Sequence, residues 1–298
     1  MAEPSRKPIR ARLIGGAIIA LSAVLGRLSW RSAQRFGRIF GRLSWVLGRR
    51  DRRRTDDHLA LALPELSAKE RLRLAKQCFL HQGMNLAELL HLRHRDCGDL
   101  EPLIAVEGWE HIAALQAAGQ PILVVSGHCG NWETLAMVAN CRGLEMAVVA
   151  RVFDEANVQQ IMVDLRRRFG SATIERGAPG AARLLLTTLR RGGALAMLID
   201  QDTKVDGVFV PFFGRLAFTP VGAAKIALRP GVVTVPTFAE RLPDGRPKVT
   251  FHPPLELPSD ATEATAAITR AIEEQVRRRP EQWVWMHRRW RRRPADED

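Results

Sequence analysis

Along the middle of the chain, short unbroken apolar runs alternate with longer stretches in which apolar residues return every three or four positions. The runs at residues 122–125, 146–150 and 194–199, and the stretch 232–238 interrupted by Thr234, Pro236 and Thr237, have the length of strands buried on both faces. The stretches at 109–118, 131–141, 155–169, 181–191, 221–228 and 262–278 carry the period of helices. Shorter strands are expected at 172–175 and 247–251, and a loop through Gly214. Strand–helix alternation predicts an α/β fold with a mostly parallel mixed sheet flanked by helices.

The first fifty residues follow a different pattern. Residues 13–26 are uncharged and apolar, but a helix of that length reaches only about 21 Å against a hydrocarbon core of about 30 Å. Arg6, Lys7, Arg10 and Arg12 ahead of it imitate a signal peptide, yet the run ends in Arg27 without a small-residue cleavage site, so it reads as a retained anchor. In the next segment Phe36, Ile39, Phe40, Leu43 and Leu47 share one helical face and Arg31, Arg35, Arg38 and Arg42 the opposite one, the pattern of a helix lying in a membrane interface. The expected division is therefore 1–50, a membrane-associated helical segment, and 51–298, a single α/β domain.

Charge sharpens this division. The net charge of +13 is concentrated at the two ends, because residues 1–60 carry fourteen Lys/Arg against four Asp/Glu and residues 277–294 eight against one. The part between is close to neutral. Basic ends also suit a nucleic-acid-binding protein, but an apolar anchor beside a basic amphipathic helix favours anionic lipid. Trp283, Trp285 and Trp290 among Arg288, Arg289, Arg291, Arg292 and Arg293 fit headgroup level, and would equally stack on bases.

Candidate chemistry centres on Ser126-Gly127-His128-Cys129-Gly130-Asn131-Trp132-Glu133, between a strand and a helix. Residues five apart on a continuous helix point about 140° away from each other, so Gly127 and Gly130 must turn the chain if His128 and Glu133 are to meet. A base with its orienter then sits past the carboxyl end of a strand, where open sheets bind ligands. The same octapeptide also fits a glycine loop with a core histidine and a glutamate favouring the helix dipole.

His128-x4-Glu133 resembles the His-x4-Asp/Glu motif of the lipid A biosynthesis acyltransferases, the late lauroyl and myristoyl transferases related to the glycerolipid acyltransferases. The likeness continues through Val149-Ala150-Arg151, Arg166-Arg167-Arg168-Phe169-Gly170, Leu198-Ile199-Asp200-Gln201-Asp202, residues 207–214, Ala217-Phe218-Thr219-Pro220 and the terminal 282–290 block. It implies a glycerolipid-acyltransferase-like fold at the cytoplasmic face of an inner membrane. It further implies transfer of an acyl chain from a thioester, on acyl carrier protein in preference to acyl-coenzyme A, to a hydroxyl of a glycolipid acceptor. His128 is expected as general base, with Glu133 holding its other ring nitrogen. Backbone amides near Gly130 and Asn131 and the side chain of Arg166 are expected to stabilise the oxyanion. Arg151 resembles an acceptor-side residue; Asn131, Asp200 and Asp202 are further substrate-side candidates, the two aspartates positioning arginines or acceptor hydroxyls.

No cofactor or metal is expected. Cys78, Cys97, Cys129 and Cys141 lack paired ligand spacing and read as free thiols. A Cys129–His128 nucleophile is disfavoured, since apolar residues fill that position in the resembled family, and no Gly-x-Ser-x-Gly elbow is present. The apolar stretch 209–213 reads as core or as the wall of an acyl groove. Rival readings are a relative acting on a phosphatidylinositol mannoside, lysophospholipid or aminolipid with acyl-coenzyme A, a basic nucleic-acid-binding protein, and a silent membrane scaffold.

Overall fold

The computed structural model describes residues 6–153 and 155–294, with backbone alone for 6–14, so the basic side chains ahead of the apolar run lie outside the described residues. Five helices come first: α1 (Arg6–Arg27), α2 (Trp30–Leu47), α3 (Arg49–Ala62), α4 (Ala68–Leu92) and α5 (Cys97–Leu103). The α/β part follows as β1 (Ala105–Glu107), α6 (Trp109–Ala117), β2 (Ile122–Ser126), α7 (Glu133–Cys141), β3 (Met146–Ala150), α8 (Ala156–Arg168), β4 (Ala172–Glu175), α9 (Ala181–Arg190) and β5 (Ala194–Leu198). It ends with β6 (Gly207–Phe212), β7 (Arg215–Pro220), α10 (Gly222–Ala227), β8 (Val233–Arg241), β9 (Pro247–Phe251) and α11 (Ala261–Arg278).

Seven strands form one sheet in the order β1-β9-β8-β2-β5-β3-β4, parallel throughout except where β8 meets β9. The predicted α/β class and mostly parallel sheet are observed. The pleat of β2 shows why both faces are covered. Leu123 and Val125 join a core with Leu59, Leu189, Ile268, Ile272, Trp283 and Trp285, whereas Ile122 and Val124 join another with Ile112, Leu135, Val138, Leu165 and Phe169.

Three sequence expectations need correction. The stretch through Gly214 is a two-stranded hairpin, β6 and β7, turned at Phe213 and Gly214, both at positive φ as the twist of a tight hairpin requires. Val210, Phe212 and Phe213 are buried and Phe212 packs on Trp283, so these residues are core, while Phe209 is half-buried and Pro211 exposed. Cys97 and Cys141, expected as free thiols, form a disulfide between the start of α5 and the end of α7; Cys78 and Cys129 are free and buried. Trp283 and Trp285, expected at headgroup level, are buried, because the segment after α11 folds back into the core and pairs with Cys129.

α2 lies along α4 on a third face that the two-sided sequence pattern did not reveal. Ala33, Gly37 and Gly41 are buried there, and a Cβ on Gly37 would stand 2.6 Å from Met84 Cα, so the backbones meet through small residues. Phe36, Ile39, Phe40, Leu43, Val46 and Leu47 are left exposed, Leu47 by 79%. Among the described residues no helix is long and apolar enough to cross a membrane.

Candidate active site

The register of neighbouring strands assembles the site. Ser126 on β2 lies opposite Leu198 on β5, so His128 and Asp200, each two residues further on, emerge side by side at the carboxyl edge of the sheet. His128 Nδ1 meets Asp200 Oδ1 at 2.7 Å. Asp200 Oδ2 accepts the backbone N–H of His128 at 2.8 Å and the indole N–H of Trp283 at 2.7 Å. Burial alone would push this carboxyl up, but the imidazole with its hydrogen bond, the His128 backbone N–H and the indole outweigh burial and hold it below the usual carboxylate range. An ionised acceptor at Nδ1 places the proton there and leaves the lone pair on Nε2. The ring remains 20% exposed and stands edge-on to Trp132, with centroids 4.8 Å apart.

Glu133 does not hold His128. It opens α7 and faces α8, where Arg166 binds it through Nε at 2.9 Å and Nη2 at 2.7 Å, with both side chains buried. Burial works against the guanidinium, and the carboxylate more than offsets it, so the Arg166 pKa is raised. The contact with the imidazole that spacing assigned to Glu133 is made by Asp200, because strand adjacency brings a residue distant in sequence nearer than the helix start can turn. Glu133 and Arg166, expected on two different tasks, form one ion pair.

The remaining candidates separate. The Gly130 N–H, expected to face an oxyanion, is engaged by Gln282 O at 3.0 Å, while the backbone N–H of Asn131 has no partner among the described residues. The Asn131 side chain, expected toward substrate, turns into the core and donates to Glu88 at 3.1 Å. Asp202 is buried and pairs with Arg291 at 3.0 Å and Arg292 at 3.1 Å, positioning arginines as expected but leaving no oxygen exposed to an acceptor. Arg151 is exposed immediately after β3. Burial pushes the Cys129 thiol well up, which leaves it a poor nucleophile.

Sequence reasoning missed the inward segment 282–292. Besides Trp283, Arg289 is fully buried, bonding Phe218 O and Thr219 Oγ1 and stacking on Phe212; burial brings its pKa down to about 10. The two indoles of Gln282-Trp283-Val284-Trp285, set two residues apart, were the available signal, since side chains two apart share one face of an extended segment.

The profile of the bacterial lipid A biosynthesis acyltransferases matches residues 6–292 of the chain. The chain belongs to this family. It is therefore an acyltransferase, and the resemblance read from the motifs holds over nearly the whole sequence. It is similar to the lipid A biosynthesis lauroyltransferase of Escherichia coli (strain K12), 28% identical over 284 residues, 93% of this chain and 86% of the relative. The lipid A biosynthesis acyltransferase of Haemophilus influenzae is 24% identical over 266 residues, 88% and 83% of the two chains. A phosphatidylinositol mannoside acyltransferase of Mycobacterium tuberculosis is 26% identical over 189 residues, 62% and 59% respectively.

Proposed function

We propose that the protein transfers a fatty acyl chain from a thioester, acyl carrier protein in preference to acyl-coenzyme A, to a hydroxyl of a lipid A precursor or similar glycolipid. The observation that carries this reading is the His128–Asp200 pair, a partly exposed imidazole whose inner nitrogen is bound to a buried carboxylate. His128 Nε2 takes the proton of the acceptor hydroxyl as its oxygen attacks the thioester carbonyl, and Asp200 steadies the imidazolium. The tetrahedral intermediate collapses by expelling the thiolate, which takes the proton from His128; the products are an ester and a free thiol. The Asn131 amide at the mouth of α7 supports the oxyanion. Arg166 anchors Glu133 and with it the first turn of α7, its Nη1 remaining for the oxyanion. Arg151 binds the acceptor.

Residues 1–50 hold the enzyme on the cytoplasmic face of an inner membrane, leaving 51–298 as the acyltransferase domain. The exposed row from Phe36 to Leu47 beside exposed Arg31, Arg35, Arg38 and Arg42 supports an interfacial helix on anionic lipid. Burial of Trp283 and Trp285 takes two of the three indoles out of the stacking platform that a nucleic-acid reading needs. The mycobacterial relatives support a second acceptor class, a phosphatidylinositol mannoside.

The test supplies purified protein with an acyl carrier protein thioester, then an acyl-coenzyme A, and offers an underacylated lipid A precursor and a phosphatidylinositol mannoside in parallel, with products read by mass spectrometry. The lipid A precursor on acyl carrier protein should react fastest, and His128→Ala should fall by more than about tenfold. Retention of wild-type turnover by His128→Ala overturns the mechanism, and faster turnover of the mannoside replaces the acceptor. Sedimentation with anionic liposomes at about 1 M salt, where charges are screened within about 3 Å, should retain the protein; release overturns the apolar docking of α2.

A further inference from the structure

Behind the catalytic loop lies a buried ion pair that the acyl-transfer steps do not use. Glu88 of α4 is 0% exposed and Arg241, at the end of β8, is nearly so. Arg241 Nη2 bonds both carboxylate oxygens at 2.8 Å and Nε bonds Oε1 at 3.0 Å. Its other contacts are His81 Nδ1 at 2.6 Å and Asn85 Oδ1 at 2.8 Å. From α2, Gln34 donates to the same Glu88 at 2.7 Å.

Three connections run from this pair to the loop that carries His128. Asn85 Nδ2 donates to Gly130 O at 2.6 Å. Gln282, whose amide pairs with the Arg241 backbone through both its oxygen and its nitrogen, accepts the Gly130 N–H on its own backbone oxygen. Asn131 donates its side-chain amide to Glu88. Both backbone groups of Gly130 and the side chain of Asn131 are therefore fixed from below, and Gly130 itself is held at φ +55, where a Cβ would stand 2.4 Å from Ala239 O.

A buried ion pair is a poor source of net stability, because desolvating the two charges consumes much of their attraction, whereas its fixed hydrogen-bond geometry can select one arrangement of what surrounds it. We propose that Glu88 and Arg241, acting through Asn85, Gln282 and Asn131, are positioning residues that hold the 127–131 loop so that the His128 imidazole stays opposite Asp200. The proposal rests on the acyl-transfer reading of His128. None of these side chains touches the reacting groups; their action is on the backbone that carries the base.

The test compares the full-length protein with Asn85→Ala, Glu88→Gln and Ile174→Ala, the last a truncation of a buried residue on β4, the edge strand three places from β2 and four from β8. Turnover of an acyl thioester is measured together with amide hydrogen exchange of peptides spanning 127–135. Asn85→Ala and Glu88→Gln should lose about tenfold or more in kcat, about 1.4 kcal/mol of barrier, with KM within about twofold. The loop peptide should exchange faster in both. Ile174→Ala should lower Tm while leaving kcat and loop exchange as in wild type. Should Glu88→Gln not fold, Asn85→Ala alone decides, since it leaves the ion pair in place. Wild-type kcat or wild-type loop exchange in Asn85→Ala overturns the proposal, as does a loss that Ile174→Ala reproduces at equal Tm. If wild-type protein shows no acyl transfer, the acyl-transfer reading fails, and the exchange measurement still decides whether the network holds the loop.

Discussion

Replacing Asp200 by Asn is the sharpest perturbation the site offers, because the two side chains have the same shape. Asp200 accepts from three donors: the His128 imidazole at 2.7 Å, the His128 backbone at 2.8 Å and the Trp283 indole at 2.7 Å. An asparagine can turn only one oxygen toward them, so its amide N–H must oppose either the indole N–H or the imidazole. If the single asparagine oxygen takes the place of Oδ2, facing the indole and backbone donors, its amide N–H meets Nδ1 and the imidazole is driven to the tautomer whose Nε2 carries the proton and cannot act as base. The equivalent change in a serine-protease triad costs about 10⁴ in kcat, and here about 10³–10⁴ is expected, or roughly 4–5.5 kcal/mol of barrier. Glu133→Gln is the control, because Glu133 is bound to Arg166 and does not reach His128. Its loss should be at least about tenfold smaller. The assay is single-turnover ester formation from a radiolabelled acyl thioester, with circular dichroism to verify folding. If Glu133→Gln is as damaging as Asp200→Asn, or more so, the assignment of Asp200 as orienter is refuted.

Arg166→Ala should destabilise the protein by about 3–5 kcal/mol in urea unfolding, because it strands a buried Glu133, while Arg168→Ala, which loses an exposed bond to Arg95 O, should stay within about 0.5 kcal/mol. Adding Glu133→Leu to Arg166→Ala should recover much of that loss of stability, which the same unfolding curves report. Gly130→Ala must adopt φ +55 and clear Ala239 O, so its Tm should fall and its turnover should drop by at least about tenfold. The His81 imidazole is pushed down to about 3, first by burial and then by Arg241. Unfolded His81 takes up a proton near pH 6.5 and the folded form does not, so stability falls as pH is lowered from about 6.5 toward the folded value, and His81→Asn should flatten that slope in unfolding measured against pH.

The α/β class, the strand at 146–150 and the loop bearing His128 were legible in the chain because apolar periodicity and glycine placement are local properties. The basic amphipathic character of α2 was legible for the same reason. Partner choice was not. The carboxylate nearest His128 in sequence points to Arg166, and the one that binds it arrives from β5, because parallel strands in register set residues far apart in the chain beside one another. Trp283 and Trp285 looked like surface residues among arginines until the chain was seen to turn back after α11 and bury them. The Cys97–Cys141 bond depends on how α5 meets α7, which spacing does not encode. Composition and period report which face a segment must bury; which segment it is buried against follows from sheet order and register, and at this site that choice decides which acid bonds His128.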